Sequence, residues 1–287
     1  MTNSPHSELV LVLGGTGKTG RRIVERLSKR GIKTRIGSRT AERPFDWLTP
    51  TTWTAVVQGI SAVYISYQPD LAVPGAVEAV RSFAEVAISN GVEKIVLLSG
   101  RGEDEAQRAE EIIKNFDATW TILRASWFSQ NFSENFLLDA VLSGEVALPV
   151  SDVGEPFIDV EDIADVAVAA LTEDSHAGQL YELTGPRLLT FAQAVTEIAE
   201  ISGLPVRFRQ LSAEQYLDAL SNYGLPKDVV ALIMYLFTSV LDGRNAHVTD
   251  GVQRALGRNP RDFADYVRDT AAKGIWGGGL ENQAVSL

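Results

Sequence analysis

A glycine-rich turn near the start of the chain constrains the fold more than any other feature. The residues before it, Glu8–Leu13, form a short apolar run, and Arg21–Gly31 after it place apolar side chains at helical spacing. The turn itself reads Gly14-Gly15-Thr16-Gly17-Lys18-Thr19-Gly20. A strand, a glycine turn and a helix in this order are typical of the first unit of a dinucleotide-binding fold.

The three glycines spaced every third residue are expected to meet three different geometrical needs. Gly14 permits the tight turn, Gly17 lets the backbone approach a pyrophosphate, and Gly20 lets the helix pack close to the strand. The N-terminus of the helix offers N–H groups and the positive end of its dipole to the phosphates. The alternative is a plain strand-to-helix turn that binds no ligand. We predict a cofactor site that includes Gly14, Thr16, Gly17, Lys18, Thr19 and Gly20.

The residues at the end of the second predicted strand, Lys33–Ser38, bear on the choice between NAD and NADP. In Rossmann folds an acidic residue at this point accepts hydrogen bonds from the ribose 2′-hydroxyl of NAD. This chain has Ser38 and Arg39 there instead. Because arginine forms charge-assisted hydrogen bonds with phosphate, we predict that both residues bind NADP, with NAD as the less favoured cofactor. The alternative is that Arg39 is a solvated surface side chain.

Polar residues at the ends of later predicted strands extend this site. Phe45-Asp46-Trp47 is predicted as a very short third strand, in which Asp46 either accepts from the adenine amino group or caps a turn before Pro50. Ala62–Ser66 and Lys94–Ser99 are the fourth and fifth predicted strands. Ligands of parallel sheets bind at the carboxyl ends of the strands. Further cofactor contacts are therefore predicted at Asp46, Ser66, Tyr67 and Ser99.

The alternation of strands and helices predicts the fold class. It indicates an α/β protein, with a doubly wound parallel-sheet Rossmann fold and a smaller, mostly helical C-terminal lobe. The predicted NAD(P)-binding domain covers residues 1–155, and a smaller substrate-side lobe covers residues 156–276. Later segments are expected to be interwoven between the two. Residues 277–287 are predicted to form a flexible tail.

Composition excludes several classes of function. The 287 residues include no cysteine, which excludes disulfides, thiolate metal sites and thiol catalysis. The three histidines are scattered, so no metal site is predicted. A net charge of −11 without a basic cluster argues against a nucleic-acid partner. The chain shows neither a signal peptide nor an apolar run of about 18 residues, so we expect a cytoplasmic protein without membrane association.

Several motifs, in order along the chain, resemble the NmrA-like branch of the atypical short-chain dehydrogenases/reductases. The resemblance extends from residue 8 to about residue 210 and weakens over the last third of the chain. It is carried by the glycine turn, Ser38-Arg39, Phe45-Asp46-Trp47, Leu98-Ser99, Trp120-Thr121-Ile122-Leu123-Arg124, Ser126–Phe132, Ile158–Ala164 and Tyr181–Pro186.

This resemblance implies a Rossmann domain with a small C-terminal domain and NAD(P) bound at the glycine turn. The family includes NAD(P)H-dependent quinone and azo reductases, a reductase of ergot alkaloid assembly, and non-catalytic redox-sensing regulators. Its members occur as monomers and as dimers, so either a monomer or a homodimer is expected. Membership by itself does not decide whether a chain catalyses a reaction.

The usual catalytic pair of short-chain dehydrogenases is missing at its expected place. Those enzymes use Tyr-x-x-x-Lys on the helix after the fifth strand, where the lysine lowers the pKa of the tyrosine. The helix predicted over Glu103–Asn115 has no tyrosine, and we interpret its charged residues as a solvated face with internal ion pairs. Ser99, at the place of the usual catalytic serine, and Tyr67, as a proton donor, are the only catalytic candidates.

Aromatic residues after the sixth predicted strand, Thr119–Arg124, indicate a substrate pocket. Trp127 and Phe128 are predicted to line it, which suits a small hydrophobic substrate. The alternative is that this segment is a loop packed into the core. The two interpretations are left open by the sequence.

The sequence supports two functions. The first is an NAD(P)H-dependent oxidoreductase that transfers hydride to a small hydrophobic acceptor such as a quinone, azo compound, iminium or activated alkene. It would work without the Tyr-Lys pair, because the cofactor itself supplies the reactive hydride. The alternative is a non-catalytic NAD(P)-sensing regulatory protein of the NmrA type. We favour the enzyme.

Overall fold

The structure, a computed structural model, describes residues 9–134 and 137–277 of the chain. These residues divide into two compact units, each assembled from separate segments. Unit 1 comprises the described residues up to Ala125, together with Val160–Leu183 and Asp250–Arg258. Unit 2 comprises Ser126–Asp159, Thr184–Thr249 and the described residues from Asn259 onward.

Within the described residues, eight strands form two parallel sheets. The strands are β1 (Leu9–Leu13), β2 (Lys33–Gly37), β3 (Ala62–Ile65), β4 (Lys94–Gly100), β5 (Thr119–Ala125), β6 (Glu145–Leu148), β7 (Gln179–Leu183) and β8 (Arg207–Gln210). Unit 1 holds a six-stranded sheet in the order β2-β1-β3-β4-β5-β7, and all of its pairs are parallel. In unit 2, β6 pairs with β8.

Twelve α-helices lie within the described residues. They are α1 (Lys18–Lys29), α2 (Trp53–Val57), α3 (Ala76–Ser89), α4 (Asp104–Lys114), α5 (Asn131–Glu134), α6 (Leu137–Leu142), α7 (Val160–Thr172), α8 (Phe191–Ser202), α9 (Ala213–Asn222), α10 (Lys227–Tyr235), α11 (Gly251–Leu256) and α12 (Phe263–Ala272). A π-helical turn, Leu236–Val240, follows α10. Over the part of the chain that is described, none of the helices has the length and apolar character needed to cross a membrane.

The six-stranded sheet is covered on both faces, as the apolar strands predict. Because side chains alternate along a strand, Leu11 and Val12 point to opposite faces of β1. Leu11 lies in a buried cluster with Phe83 of α3. On the other face, the Tyr64 hydroxyl of β3 donates to Thr19 Oγ1 of α1 at 3.0 Å. This arrangement confirms the predicted doubly wound α/β class.

The boundary predicted between residues 155 and 156 differs from the observed division. Strand β6 belongs to unit 2, whereas α7 and β7 return to unit 1. The reason is that β7 hydrogen-bonds to β5 and becomes the sixth strand of the large sheet. Of the predicted tail, residues 278–287 lie outside the described residues.

The predicted third strand at Phe45-Asp46-Trp47 was wrong, because this segment forms a loop. The Asp46 carboxylate accepts the Leu48 N–H at 3.0 Å, and the Trp53 indole N–H donates to the Asp46 carbonyl at 2.9 Å. Phe45 and Trp47 are buried by packing on Trp53 and on Phe83 of α3. These aromatic residues are therefore buried as part of a loop. Asp46 caps a turn, which is the alternative role predicted for it.

Ion pairs attach α1 to α7 within unit 1. Arg22 Nε lies 2.6 Å from Glu161 Oε1, and Arg26 Nε lies 2.6 Å from Asp165 Oδ1. All four side chains are partly buried, so water screens these pairs less than it screens exposed ones. These contacts orient the helix whose N-terminus follows the glycine turn.

Unit 2 has its own hydrophobic core. Phe132, Phe157, Phe191 and Phe263 pack with ring centroids 5.0 to 6.0 Å apart. Helix α8 begins with a capping box in which Thr190 Oγ1 accepts the Gln193 N–H at 3.1 Å. The mostly helical character of this unit agrees with the lobe predicted from the sequence.

Candidate cofactor-binding site

The glycine turn connects β1 to α1 in a tight conformation. Gly14 has φ +66°, a left-handed conformation that favours glycine. Its N–H donates to the Gly37 carbonyl at 3.0 Å, and the Gly17 N–H donates to the Gly14 carbonyl at 2.8 Å. The first bond joins the turn to the carboxyl end of β2, so two strand ends meet here.

The other two glycines of the motif differ in what surrounds them. A Cβ on Gly20 would lie 2.2 Å from the Gly14 carbonyl oxygen, so any side chain would displace the backbone. A Cβ on Gly17 would meet only that same oxygen, at 3.2 Å, within 4 Å. Gly20 therefore permits close packing of α1, whereas Gly17 borders space that the described chain leaves open.

The N-terminus of α1 has the features of a phosphate site. Gly17 is its N-cap, no side chain caps the helix, and its first turn has no acidic residue. The first N–H groups of a helix need partners from outside the helix, and an anion is stabilised by the helix dipole. A pyrophosphate fits this position, with Thr16 exposed and Lys18 half-buried beside it. The Thr19 hydroxyl instead accepts from Tyr64 within the core.

The end of β2 carries the residues predicted to select the cofactor. Ser38 is half-buried and Arg39 is exposed. Arg39 makes no hydrogen bond or ion pair with any described residue. Nearby, Arg35 and Arg43 donate to α2 carbonyls, those of Val56 at 2.7 Å and Ala55 at 3.0 Å.

The end of β3 borders the glycine turn on its other side. Ser66 is buried, and a Cβ on Gly14 would lie 3.7 Å from its hydroxyl oxygen. Tyr67 is half-buried, its ring lies 4.7 Å from Trp47, and burial raises its pKa. Since β1 pairs with β2 on one side and with β3 on the other, the turn lies at the topological switch point where such sheets bind ligands.

Ser99, at the carboxyl end of β4, is part of a buried charged network. Its hydroxyl donates to Glu110 Oε1 at 2.6 Å. Arg124 also holds the Glu110 carboxylate, with Nε 2.9 Å from Oε1, and donates to Glu182 at 2.8 Å. These hydrogen bonds, chiefly that to Glu110, raise the pKa of Arg124. The Ser99 proton is thus directed to Glu110 instead of to a bound substrate.

Helix α4 has the solvated face with internal ion pairs that the sequence predicted, and a second face that is buried. Glu110 is fully buried, as are Ala106 and Ile113 on the same face, and Glu103 before the helix is 8% exposed. The exposed face carries the expected ion pairs, such as Glu105–Arg108 at 2.7 Å. The spacing of the apolar residues would have placed Glu110 on the buried face.

Trp127 and Phe128 belong to unit 2 and are half-buried there. The Trp127 ring lies 5.5 Å from Phe191 and 4.9 Å from Phe237. Phe128 forms an isolated parallel bridge with Ile158. These contacts are those expected if the segment is a loop packed into the core, which was the alternative interpretation. That Trp127 and Phe128 line a substrate pocket stays a prediction.

A parallel sheet with an uncapped helix at a glycine turn, located at the switch point, defines a Rossmann dinucleotide-binding protein. A family model described as NAD(P)H-binding matches residues 14–174. The chain belongs to this NAD(P)H-binding family, and its motifs resemble the NmrA-like branch of the atypical short-chain dehydrogenases/reductases.

Similar proteins include several reductases. The agroclavine dehydrogenase of Claviceps fusiformis is 31% identical over 290 residues, which cover 93% of this chain and 98% of that protein. The NAD(P)H azoreductase of Xenophilus azovorans is 26% identical and covers 92% of this chain and 98% of its own length. The Escherichia coli NADPH-dependent quinone oxidoreductase QOR2, solved with NADPH, has a TM-score of 0.75 at 21% identity, covering 91% of this chain and 99% of that one.

Proposed function

We propose that this protein is an NAD(P)H-dependent reductase that transfers hydride to a small hydrophobic acceptor. The acceptor classes are a quinone, an azo compound, an iminium or an activated alkene. The observation that carries the proposal is the uncapped N-terminus of α1 beside Gly17, at the switch point of the sheet. The dehydrogenase and azoreductase among the relatives support it.

The preferred cofactor under this proposal is NADPH. The bound cofactor would supply the hydride, and the protein's own residues bind and orient it. Gly14, Gly17 and Gly20 shape the phosphate site, and Arg39 provides an exposed guanidinium at the end of β2. A guanidinium in this position matches a 2′-phosphate in charge and geometry.

Replacing Arg39 by alanine is expected to weaken the binding of NADP⁺ but not that of NAD⁺. Removal of a charge-assisted hydrogen bond costs about 1.5–3 kcal/mol, or roughly 10- to 150-fold in affinity. Affinity for NAD⁺, which has no 2′-phosphate, is expected to stay the same. Isothermal titration of both cofactors measures the two effects. Arg30→Ala is the matched control, because it removes an exposed arginine at the far end of α1. Equal losses for both cofactors would refute the role of Arg39.

The reaction proposed here does not require a Tyr-Lys pair. Helix α4 contains no tyrosine, and the Ser99 hydroxyl donates to Glu110. Ser99 is therefore better suited to accept a hydrogen bond from the cofactor than to donate a proton. Tyr67 is the remaining catalytic candidate proposed from the sequence.

A panel of acceptors separates the reductase from the sensing alternative. The purified protein is incubated with NADPH and a quinone, an azo dye, a cyclic iminium compound or an activated alkene, and loss of cofactor absorbance is followed. We expect turnover with at least one class. Cofactor binding without turnover on any member of the panel would reject the enzyme and favour an NAD(P)-sensing regulator.

A further inference from the structure

Three arginines near the carboxyl end of β2 have no carboxylate partner within the described residues. Arg35 lies in β2, and Arg39 and Arg43 lie in the loop that follows it. Arg35 and Arg43 donate only to backbone carbonyls, and Arg39 makes no hydrogen bond or ion pair with the described chain. Most of the other described arginines form ion pairs, as Arg22 does with Glu161. No direct ion pair therefore neutralises this arginine cluster.

Helix α2 holds two members of the arginine cluster next to each other. Arg35 Nη1 donates to the Val56 carbonyl at 2.7 Å, and Arg43 Nη1 donates to the Ala55 carbonyl at 3.0 Å. Because these carbonyls belong to consecutive residues, the two guanidinium groups are neighbours. Burial and the positive charge of Arg43 lower the pKa of Arg35, and the exposed Glu42 opposes this shift. Like charges thus lie close together without an ion pair to separate them.

The loop after β2 brings the third arginine to the same place. The Phe45 N–H donates to the Ser38 carbonyl at 2.9 Å and closes the loop that contains Arg39 and Arg43. Both side chains are exposed. Four residues of extended chain span at most about 14 Å, and the closed loop brings the two arginines closer than that. All three guanidinium groups therefore belong to one patch of the surface of unit 1.

The arginine cluster adjoins the glycine turn. The Gly14 N–H of that turn donates to the Gly37 carbonyl at 3.0 Å. Arg35 precedes Gly37 by two residues and Arg39 follows it by two, so the Cα atoms of both arginines lie within about 8 Å of that of Gly37. The Debye length at physiological salt is about 8 Å. Positive charge at these positions therefore acts at the turn where the phosphates are proposed to bind.

The sign of this patch is opposite to that of the whole chain. The chain carries a net charge of −11, yet the stretch from Lys33 to Asp46 has four basic and two acidic side chains. The three arginines are spaced four residues apart, so the sequence shows no continuous basic run. NADPH is negatively charged at its pyrophosphate and its 2′-phosphate. An acidic protein repels such a ligand unless a local positive field attracts it to the site.

We infer that Arg35 and Arg43 steer NADPH to the phosphate site at α1 and thereby favour it over NADH during association. This inference rests on the proposed binding of NADPH, and it adds residues that act before contact, whereas Arg39 is the proposed contact. A charge at the rim of a site mainly changes the association rate, and a lost direct contact mainly changes the dissociation rate. NADH lacks the 2′-phosphate, so the same field attracts it less.

The sign of the salt dependence gives the first test. If the net charge of −11 governed the encounter, added salt would screen repulsion and speed the association of NADPH. Under steering, salt screens attraction instead. The association rate constant of NADPH should then fall by about 10-fold between about 20 mM and about 500 mM NaCl, and that of NADH should fall less. Stopped-flow quenching of tryptophan fluorescence measures both rates.

Two substitutions of Arg43 form a matched pair. Arg43→Gln removes the charge and keeps a donor for the Ala55 carbonyl, whereas Arg43→Lys keeps the charge. At low salt, Arg43→Gln should lower the association rate constant of NADPH by about 3- to 10-fold and leave its dissociation at the wild-type rate. Arg43→Lys should keep both rates. Arg35→Gln should act as Arg43→Gln does, and the differences should vanish at high salt.

Arg30→Gln is the control for the change in net charge. Arg30 is exposed at the C-cap of α1, about 20 Å from Gly17 at the rise of an α-helix, which exceeds two Debye lengths. This variant should leave the association rate of NADPH at the wild-type value. Thermal unfolding of each variant checks that the fold is intact.

Several results would overturn the inference while leaving the reductase intact. These are an association rate of NADPH that rises with salt, a wild-type association rate in Arg43→Gln, an equal loss in Arg43→Lys, or an equal loss in Arg30→Gln. If the folded protein binds NADPH but reduces no acceptor, the proposed reductase fails, and the same rate measurements still decide whether the arginine cluster steers. If it binds no NADPH, both proposals fail.

Discussion

Gly17→Val is expected to abolish binding of both NADPH and NADH while leaving the fold intact. Gly17 is the N-cap of α1. Within the described residues, and apart from its two chain neighbours, its Cβ would come within 4 Å only of the Gly14 carbonyl oxygen, at 3.2 Å. Its φ of −80° is accessible to every residue, so valine is tolerated there by the backbone. The side chain would instead occupy the space of the pyrophosphate.

The expected size of this effect follows from the bonds that are lost. A phosphate displaced from two helix N–H groups loses about 1.5–3 kcal/mol for each, and affinity falls by at least about 100-fold. The weaker N-cap costs about 1 kcal/mol of stability. Fluorescence titration measures binding, and thermal unfolding checks the fold, with Glu25→Ala on the exposed side of α1 as the control.

Retained affinity in folded Gly17→Val would contradict the phosphate site at α1. Gly20 cannot serve for this test, because its Cβ would lie 2.2 Å from the Gly14 carbonyl oxygen and would disturb the fold itself. A substitution at Gly17 therefore tests cofactor binding, whereas a substitution at Gly20 would disturb the fold.

Glu110→Ala is expected to cost the largest amount of stability among single changes in α4. The Glu110 carboxylate is fully buried, accepts from Ser99 at 2.6 Å and pairs with Arg124. Removing one partner of a buried ion pair leaves the other charge without compensation and typically costs about 3–5 kcal/mol. Urea unfolding followed by tryptophan fluorescence measures the loss.

The neighbouring residue supplies a matched control. Glu111 pairs with Lys114 at 2.7 Å on the exposed side of the same helix. Pairs of this kind contribute about 0.3–0.5 kcal/mol, so Glu111→Ala should change stability very little. Similar losses of stability in the two variants would show that the buried network does not stabilise the helix. A larger loss of stability in Glu110→Ala than in Glu111→Ala would support the stabilising role of the network.

Much of unit 1 could be predicted because its signals are local. The glycine turn, the apolar strands and the helical periodicity each lie within a few residues of one another. The predicted strands at Lys33–Ser38 and Lys94–Ser99 differ from the observed β2 and β4 by one residue each. The loop at Phe45-Asp46-Trp47 was mistaken for a strand because aromatic residues are common in strands as well as in buried loops.

The features of the fold and of the site that the sequence did not predict depend on contacts between distant parts of the chain. Strand β7 joins the large sheet through its pairing with β5, about 60 residues earlier. Glu110 meets Arg124 and Ser99 only because α4 packs across β4 and β5. Glu110 and Arg124 belong to different elements and no short motif joins them, so this pairing could not be predicted from the sequence.

By itself, the sequence was sufficient to specify a dinucleotide turn, a doubly wound sheet and the family. These features depend on short-range backbone chemistry, in which glycine spacing and apolar runs determine local conformation. Only the tertiary structure shows that Ser99 donates to Glu110 and that Glu110 also pairs with Arg124. Protonation and hydrogen-bond direction depend on burial and on neighbouring charges, and packing creates both.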